Sequence, residues 1–550
     1  MAKKLLIIGG VAGGATAAAR ARRLDETADI VLFERGEYIS FANCGLPYYI
    51  GKVIKERDTL LVTTAEAFKA RYNIDIRLFS EVTEINRYEK YITVKDIKTG
   101  NTHIEKYDKI ILSPGAEPLR PPLEGIDLKN IYSLRSIPDS DLIKAHVDED
   151  KPESAVIVGG GFIGLEMAEN LVHRGVKVTI VEMLDQVMAP VDFEMASLVH
   201  AHLKEKGVTL ILGDGVKSFS KSDNRIKVTT GKGVETECEL VILSIGIRSE
   251  SILAKQAGLV IGKRGGIIVD AGMRTSDPDI FAVGDAVETK DFVLGFPAMT
   301  ALAGPANKEA RIAADNAMGR NTVFKGTMGS AVAKVFDLTV ASTGSNEKSL
   351  KQNSIPYLIS YTHSGSHASY YPDPEMMSIK LIFSPGSGRI LGAQIVGGKG
   401  VDKRIDVIAT AIRGGMTVYD LEELELAYAP PFSSAKDPVN IAGFVASNML
   451  KGDLQTINWD EIKDIDRENE ILIDLRDKNE LDESGVIEGA LHIPLSELRG
   501  KLKELDISKG YIPFCAIGLR GYLGYRILVQ NGFKARNLSG GYKTYKVTTK

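Results

Sequence analysis

The chain has 550 residues, of which 44% are hydrophobic and 25% charged, with a formal net charge of -4. One hydrophobic core rarely grows past about 250–300 residues, so several domains are expected. The slight acidity argues against a general nucleic-acid binder, and no apolar run approaches the roughly 20 residues of a membrane-spanning helix.

At the amino terminus Lys3-Lys4 run straight into an apolar strand pattern, not a signal sequence, so a cytoplasmic location is expected. Cys44, Cys238 and Cys515 are far apart and form no C-x-x-C. Neither a disulfide framework nor a metal site is therefore expected. In a reducing compartment, such cysteines are either buried fillers or reactive thiols.

In chain order, the first expected unit is a strand over Lys4 to Ile8 running into "GGVAGGATAAARARR". Gly9, Gly13 and Gly14 fit a tight strand-to-helix turn, and the alanine-rich helix can pack close to a sheet. The free N–H groups and dipole at that helix start would hold a pyrophosphate. The next strand ends at Glu34, where an acid can bond a ribose hydroxyl, with Arg35 beside it. Val11 stands where the second glycine of G-x-G-x-x-G belongs. A second copy, "SAVIVGGGFIGLEMAENL", has the full spacing at Gly159, Gly161 and Gly164, and its following strand ends at Glu182. A carboxylate there accepts from a ribose 2′-OH and repels a 2′-phosphate, so NADH is expected over NADPH.

Two dinucleotide folds on one chain suggest an electron relay from a transient nicotinamide to a bound flavin. "IFAVGDA", ending a strand at Asp285, supports this, as do "ILSPGAEP" around Gly115 and "LSIGIRSE" around Gly246. With these motifs the first 449 residues resemble the FAD-dependent pyridine nucleotide-disulfide oxidoreductases. The resemblance implies FAD-binding segments at 1–150 and 271–322 around an NAD-binding domain at 151–270. It places Asp285 on the flavin ribityl chain.

"SFANCGLPYYI" carries Cys44 with no second cysteine nearby. It resembles the single-cysteine branch, which contains the coenzyme A-disulfide reductases, NADH-dependent persulfide reductases, and NADH oxidases and peroxidases. One thiol can form a mixed disulfide with a small thiol or become a sulfenic acid, but needs a neighbour for an internal disulfide. A helix start beside the flavin is expected to lower its pKa. The resemblance assigns Arg20, Arg23, Ser40, Asn43 and Arg71 to coenzyme A. Arg20 and Arg23 are one helical turn apart.

From 323 to 446, "HASYYP" and "AYAPPFSSAKDPVN" resemble the family's dimerisation domain. A homodimer with shared active sites is implied, with Tyr370 and Tyr428 directed at the partner's redox thiol and Lys436 at coenzyme A. A phenol beside a thiolate leaving group can give it a proton.

A polar linker is expected at 447–458, followed by a compact α/β domain at 459–550. "EILIDLRDKNEL", "YIPFCAIGLRGYLGYRIL" and "LSGGYKTYK" resemble a rhodanese. Cys515 ends a strand and opens a short loop closed by Arg520, a geometry that stabilises a thiolate and its persulfide. Pro513 lies in that strand, where a ladder donor is missing. Cys238 begins an apolar strand and is read as structural.

The expected architecture is thus α/β: two Rossmann-like domains, an α+β dimerisation domain and a rhodanese domain. The expected activity is NADH- and FAD-dependent reduction of coenzyme A persulfide or polysulfide through Cys44, with Cys515 handling sulfane sulfur. Coenzyme A disulfide reduction, oxygen or peroxide reduction, and a sulfur carrier with a redox-sensing flavin module are the alternatives.

Overall fold

A computed structural model describes residues 3–549. The chain divides into two units, the first running to Asp185 and resuming over Gly207–Gly329, the second comprising Gln186–Lys206 and the chain from Ser330 onward.

The first unit repeats one design twice. The apolar runs Lys4–Ile8, Asp29–Phe33, Asp75–Arg77, Lys109–Leu112 and Ile280–Ala282 form a parallel sheet with Lys4–Ile8 at its centre. Both faces are covered, so the strand interiors are buried without alternation, as parallel sheets require. Helices Gly13–Leu24 and Ala303–Ala317 pack closely on it through alanines. The second copy centres on Ser154–Val158, flanked by Lys177–Glu182 and Leu240–Leu243, with Thr209–Leu212 and Ile131–Ser133 at the edges. In each copy a three-stranded antiparallel sheet, over 80–106 and 216–238, is inserted in the chain between strands of the parallel sheet. Cys238 is buried in the second of these cores, its thiol donating to the Ile226 carbonyl at 3.7 Å, and burial pushes its pKa up to about 12.

The second unit holds a five-stranded antiparallel sheet, ordered Ala331–Val335, Leu338–Gly344, Ile390–Gly397, Met376–Phe383 and Leu358–Gly365. Helices Val401–Gly414 and Pro438–Leu450 pack on it. The stretch read as a linker, 447–458, begins in the last turn of that second helix. It ends in the strand Thr456–Ile457, which pairs with Asn537–Leu538. Beyond it, a four-stranded parallel sheet runs Leu491–His492, Glu470–Asp474, Gly510–Phe514, Lys534–Ala535.

Pro513 costs this sheet nothing. Alternate residues of a strand turn their N–H to opposite neighbours. Phe514 bonds toward Leu475, and Tyr511 bonds the other way, to Arg536. Pro513 therefore faces the Tyr511 side, where strand Lys534–Ala535 has already ended. Among the described residues, no helix is long and apolar enough to cross a membrane.

Candidate active site

The two nucleotide turns are built alike. A Cβ on Gly9 would lie 2.1 Å from the Ser113 carbonyl oxygen, and one on Gly159 would lie 2.4 Å from that of Ser244. Both glycines also have positive φ, so each first position is closed to other residues. At Gly161 an added Cβ would meet nothing within 4 Å, which leaves room for a phosphate against the start of helix Phe162–His173. The acids match as well. Glu34 accepts from the Gly10 and Gly36 amides at 2.8 Å each, and Glu182 from Gly160 at 2.7 Å and Leu184 at 2.9 Å. Each carboxylate is thereby fixed at its turn, where a ribose would arrive. These features fit FAD in the first turn and a nicotinamide dinucleotide in the second.

Asp285 lies in the turn after strand Ile280–Ala282, and Gly115 and Gly246 take positive φ in the two crossovers. Burial holds the Asp285 carboxyl above its usual range, offset in part by the Arg135 charge. Its neighbour Glu309 is buried, accepts from the Gly284 amide at 2.9 Å, and is pushed up to about 7, chiefly by burial. Arg35 chelates Glu250 at 2.6 and 3.0 Å.

Cys44 sits in the single helical turn Asn43–Gly45, just ahead of helix Leu46–Ile50, and is exposed to solvent. Its pKa moves opposite to the depression expected from a helix start. Close-packed protein around the sulfur desolvates it, the Glu166 and Asp285 charges add to the effect, and the pKa rises. Glu166 is itself pushed up to about 7, mainly by burial, and accepts a long 3.5 Å bond from the Tyr48 hydroxyl.

Of the residues assigned to coenzyme A, Ser40 has a positive φ of 46° and Asn43 is exposed beside the thiol. Arg20 is engaged by Asp315 at 2.6 Å, because the two alanine-rich helices lie side by side. Arg23, Arg71 and Lys436 are exposed.

In the second unit the Tyr370 and Tyr428 hydroxyls meet at 2.5 Å, on side chains that are 73% and 46% exposed. The bond from Tyr370 raises the Tyr428 pKa. Tyr428 also lines a cleft of about 840 Å³ with His367, Tyr371, Lys403 and Phe432. Elsewhere in this unit, Asp192, Glu194 and Glu347 converge on the fully buried Lys380 ammonium, 2.8 Å from Asp192. These three carboxylates have metal-binding spacing, with the ammonium seated among them.

Cys515 ends the sheet strand, and its sulfur accepts from the Gly518 amide at 3.2 Å, at the cap of helix Leu519–Gln530. Arg520 is forked onto Glu480 at 2.6 Å on both sides, and its raised pKa reflects Glu480 first and then the Cys515 sulfur. Sequence reading missed Glu166, Glu309 and Glu480. The first two lie inside helices with ordinary surface-like spacing, and only tertiary packing buries them.

Residues 3–315 match the family described as pyridine nucleotide-disulphide oxidoreductase, 330–438 its dimerisation domain and 459–548 a rhodanese-like domain. A coenzyme A disulfide reductase of Staphylococcus haemolyticus is 34% identical over 448 residues, covering 81% of this chain and all of that protein. The solved Bacillus anthracis structure named CoADR-RHD superposes with a TM-score of 0.97 at 51% identity, covering 100% of this chain and 98% of that one. An NAD-dependent persulfide reductase from A. fulgidus gives 0.92 at 39% identity, with 98% and 100% covered. The chain therefore belongs to the pyridine nucleotide-disulphide oxidoreductases and carries a rhodanese-like domain at its carboxyl end.

Proposed function

We propose that this protein uses NADH and bound FAD to reduce coenzyme A persulfide, and polysulfide delivered as persulfide, through Cys44. The observation that carries the reading is the pairing of one lone thiol beside the nucleotide turns with a second thiol in a rhodanese-like loop of the same chain. The S. haemolyticus coenzyme A disulfide reductase aligns over its whole length yet reaches only 81% of this chain. The A. fulgidus persulfide reductase reaches 98%. Coenzyme A disulfide is the second reading, favoured by the name and full-length match of the first of these relatives.

The Cys44 thiolate attacks the inner sulfur of coenzyme A persulfide. A Cys44–S–S–coenzyme A disulfide forms, the persulfide S–S bond breaks, and sulfide leaves with the electron pair. Two electrons from NADH and one proton then return Cys44 to thiolate and release coenzyme A thiol. Bound FAD supplies the two-electron relay between NADH and this disulfide. Desolvation first, and then the Glu166 and Asp285 charges, favour the neutral Cys44 thiol, so attack requires that its proton first pass to an acceptor. The exposed, hydrogen-bonded Tyr370–Tyr428 hydroxyls are suited to protonate a departing thiolate in a second copy's site. Exposed Tyr370, Tyr371, Tyr428 and Phe432 form an aromatic surface suited to a homodimer contact. Arg23, Asn43, Arg71 and Lys436 are the exposed candidates for coenzyme A, whereas Arg20 is engaged by Asp315.

The test is the mass of the isolated protein, read by peptide. A coenzyme A or extra-sulfur adduct on Cys44 supports the reading. A Cys44 that stays unmodified after incubation with coenzyme A persulfide refutes it.

A further inference from the structure

The Cys515 loop is held from two sides, and one of them lies outside the rhodanese-like domain. Inside the domain, helix Gly541–Thr548 starts against the loop: the Tyr542 amide donates to the Cys515 carbonyl at 2.8 Å, and the Lys543 amide to that of Ala516 at 2.9 Å. The approach is so close that a Cβ on Gly541 would fall 2.4 Å from the Cys515 carbonyl oxygen and 3.1 Å from the Gly518 nitrogen. Gly518 is the residue whose amide points at the Cys515 sulfur. The position of this helix start therefore sets both the loop carbonyls and the donor facing the thiol.

The start of the helix is itself gripped by the five-stranded antiparallel sheet. His363, on strand Leu358–Gly365, places its Nε2 3.1 Å from the Gly540 carbonyl and 3.1 Å from the Thr544 hydroxyl. Its Nδ1 lies 2.8 Å from the Ser378 hydroxyl on the neighbouring strand. A carbonyl only accepts, so Nε2 carries the proton, and Nδ1 accepts from Ser378. Burial, and next the Lys543 charge, push the His363 pKa down to about 3, so this donor arrangement persists at neutral pH. Two residues back on the same strand, the Tyr361 amide donates to the Ser539 hydroxyl at 3.4 Å.

We infer that His363 is a positioning residue for the Cys515 loop, so that the antiparallel-sheet domain completes the thiol site of the rhodanese-like domain. The chain of bonds runs from Ser378 through His363 to Gly540 and Thr544, and from the helix start to Cys515 and Ala516. This rests on the reading of Cys515 as the reactive thiol of its domain. A displacement of about 1 Å can cost about 100-fold in a reaction that depends on alignment. Partial release of one anchor is expected to cost about tenfold.

The experiment uses the full chain and reads the alkylation rate of Cys515 by iodoacetamide, peptide by peptide, along with persulfide formation on Cys515 from inorganic polysulfide. His363→Leu removes the donor at similar bulk, and His363→Gln returns an N–H. The expected result is about a tenfold change in the alkylation rate of the buried Cys515 and about a tenfold loss of persulfide formation in the Leu variant, with both returning to within about threefold in the Gln variant, at matched melting temperatures. If the Leu variant does not fold, Thr544→Val, which removes only the hydroxyl, is expected to change both rates in the same directions by a smaller factor. Equal rates in His363→Leu and the parent, or a Gln variant no better than Leu, would overturn the inference. Should the Leu variant fail to fold, unchanged rates in Thr544→Val would do the same. A parent Cys515 that alkylates but never gains sulfur would overturn the sulfur-carrier reading alone, since the alkylation comparison still decides the role of His363.

Discussion

Glu182 is expected to favour NADH over NADPH, and its fixed position lets the size of that preference be worked out. Its two carboxylate oxygens are pinned by the Gly160 and Leu184 amides at 2.7 and 2.9 Å, so the charge cannot swing away from an incoming ribose. The residue that follows, Met183, is exposed and offers no cation. Two unit charges about 5 Å apart repel by about 0.8 kcal/mol in bulk water and about 3.3 kcal/mol at an effective dielectric of about 20. A 2′-phosphate beside Glu182 should therefore lose roughly 1–3 kcal/mol, or about 5–150-fold. Glu182→Gln removes the charge and leaves one oxygen to accept an amide. The assay is kcat/KM for NADH and for NADPH at fixed ionic strength, with coenzyme A disulfide as electron acceptor. The NADH-to-NADPH ratio is expected to fall by about that factor in the variant. An unchanged ratio in a variant that still turns over NADH would refute the electrostatic argument and require discrimination from another residue.

Two further outcomes are expected. Cys515→Ser should leave turnover of coenzyme A-based substrates nearly intact and lower the rate with polysulfide, with added free coenzyme A raising the polysulfide rate if it shuttles sulfur between the thiols. Equal rates with every substrate would make the rhodanese-like domain a passenger. Lys380→Met should cost about 3–5 kcal/mol, because it strands buried carboxylates, and it should reverse the pH trend of stability. In the parent, Lys380 holds Asp192 and Glu347 below the usual carboxylate range despite their burial. Their contribution is present above the unfolded pKa and lost as pH falls through the folded one. Without the ammonium, burial and mutual repulsion raise both pKa values, and the sign inverts. The variant should then melt higher at pH 5 than at pH 7.5, checked by circular dichroism. A melting temperature that rises with pH in the variant as in the parent would count against this.

The sequence carried what depends on local pattern. Paired glycine turns, acids at strand ends and the lone Cys44 motif are short-range signals, because backbone approach and helix-start geometry fix residue types at set spacings. Pair partners across the fold were not legible. Nothing in "ARARR" tells that Arg20 is spent on Asp315, nearly three hundred residues away. The rise in the Cys44 pKa arises first from desolvation by the surrounding protein and then from Glu166 and Asp285, which lie on distant segments. A helix start argued for a lower value, but that turn is short, and burial and two acids outweigh it. His363, in an ordinary alternating strand, acquires a role only when the last helix packs against it. The Pro513 puzzle likewise depended on where a neighbouring strand stops, which no residue in its own strand encodes.

Cys44→Ser tests most directly whether Cys44 carries the electrons from NADH to sulfur. Serine keeps the size and the turn but cannot form a disulfide with substrate. The measurement is anaerobic NADH oxidation with coenzyme A persulfide, alongside the flavin spectrum of the same sample. The variant is expected to bind FAD and to be bleached by NADH, yet to show no steady turnover and release no sulfide. Sustained, substrate-dependent sulfide release by the serine variant would contradict it.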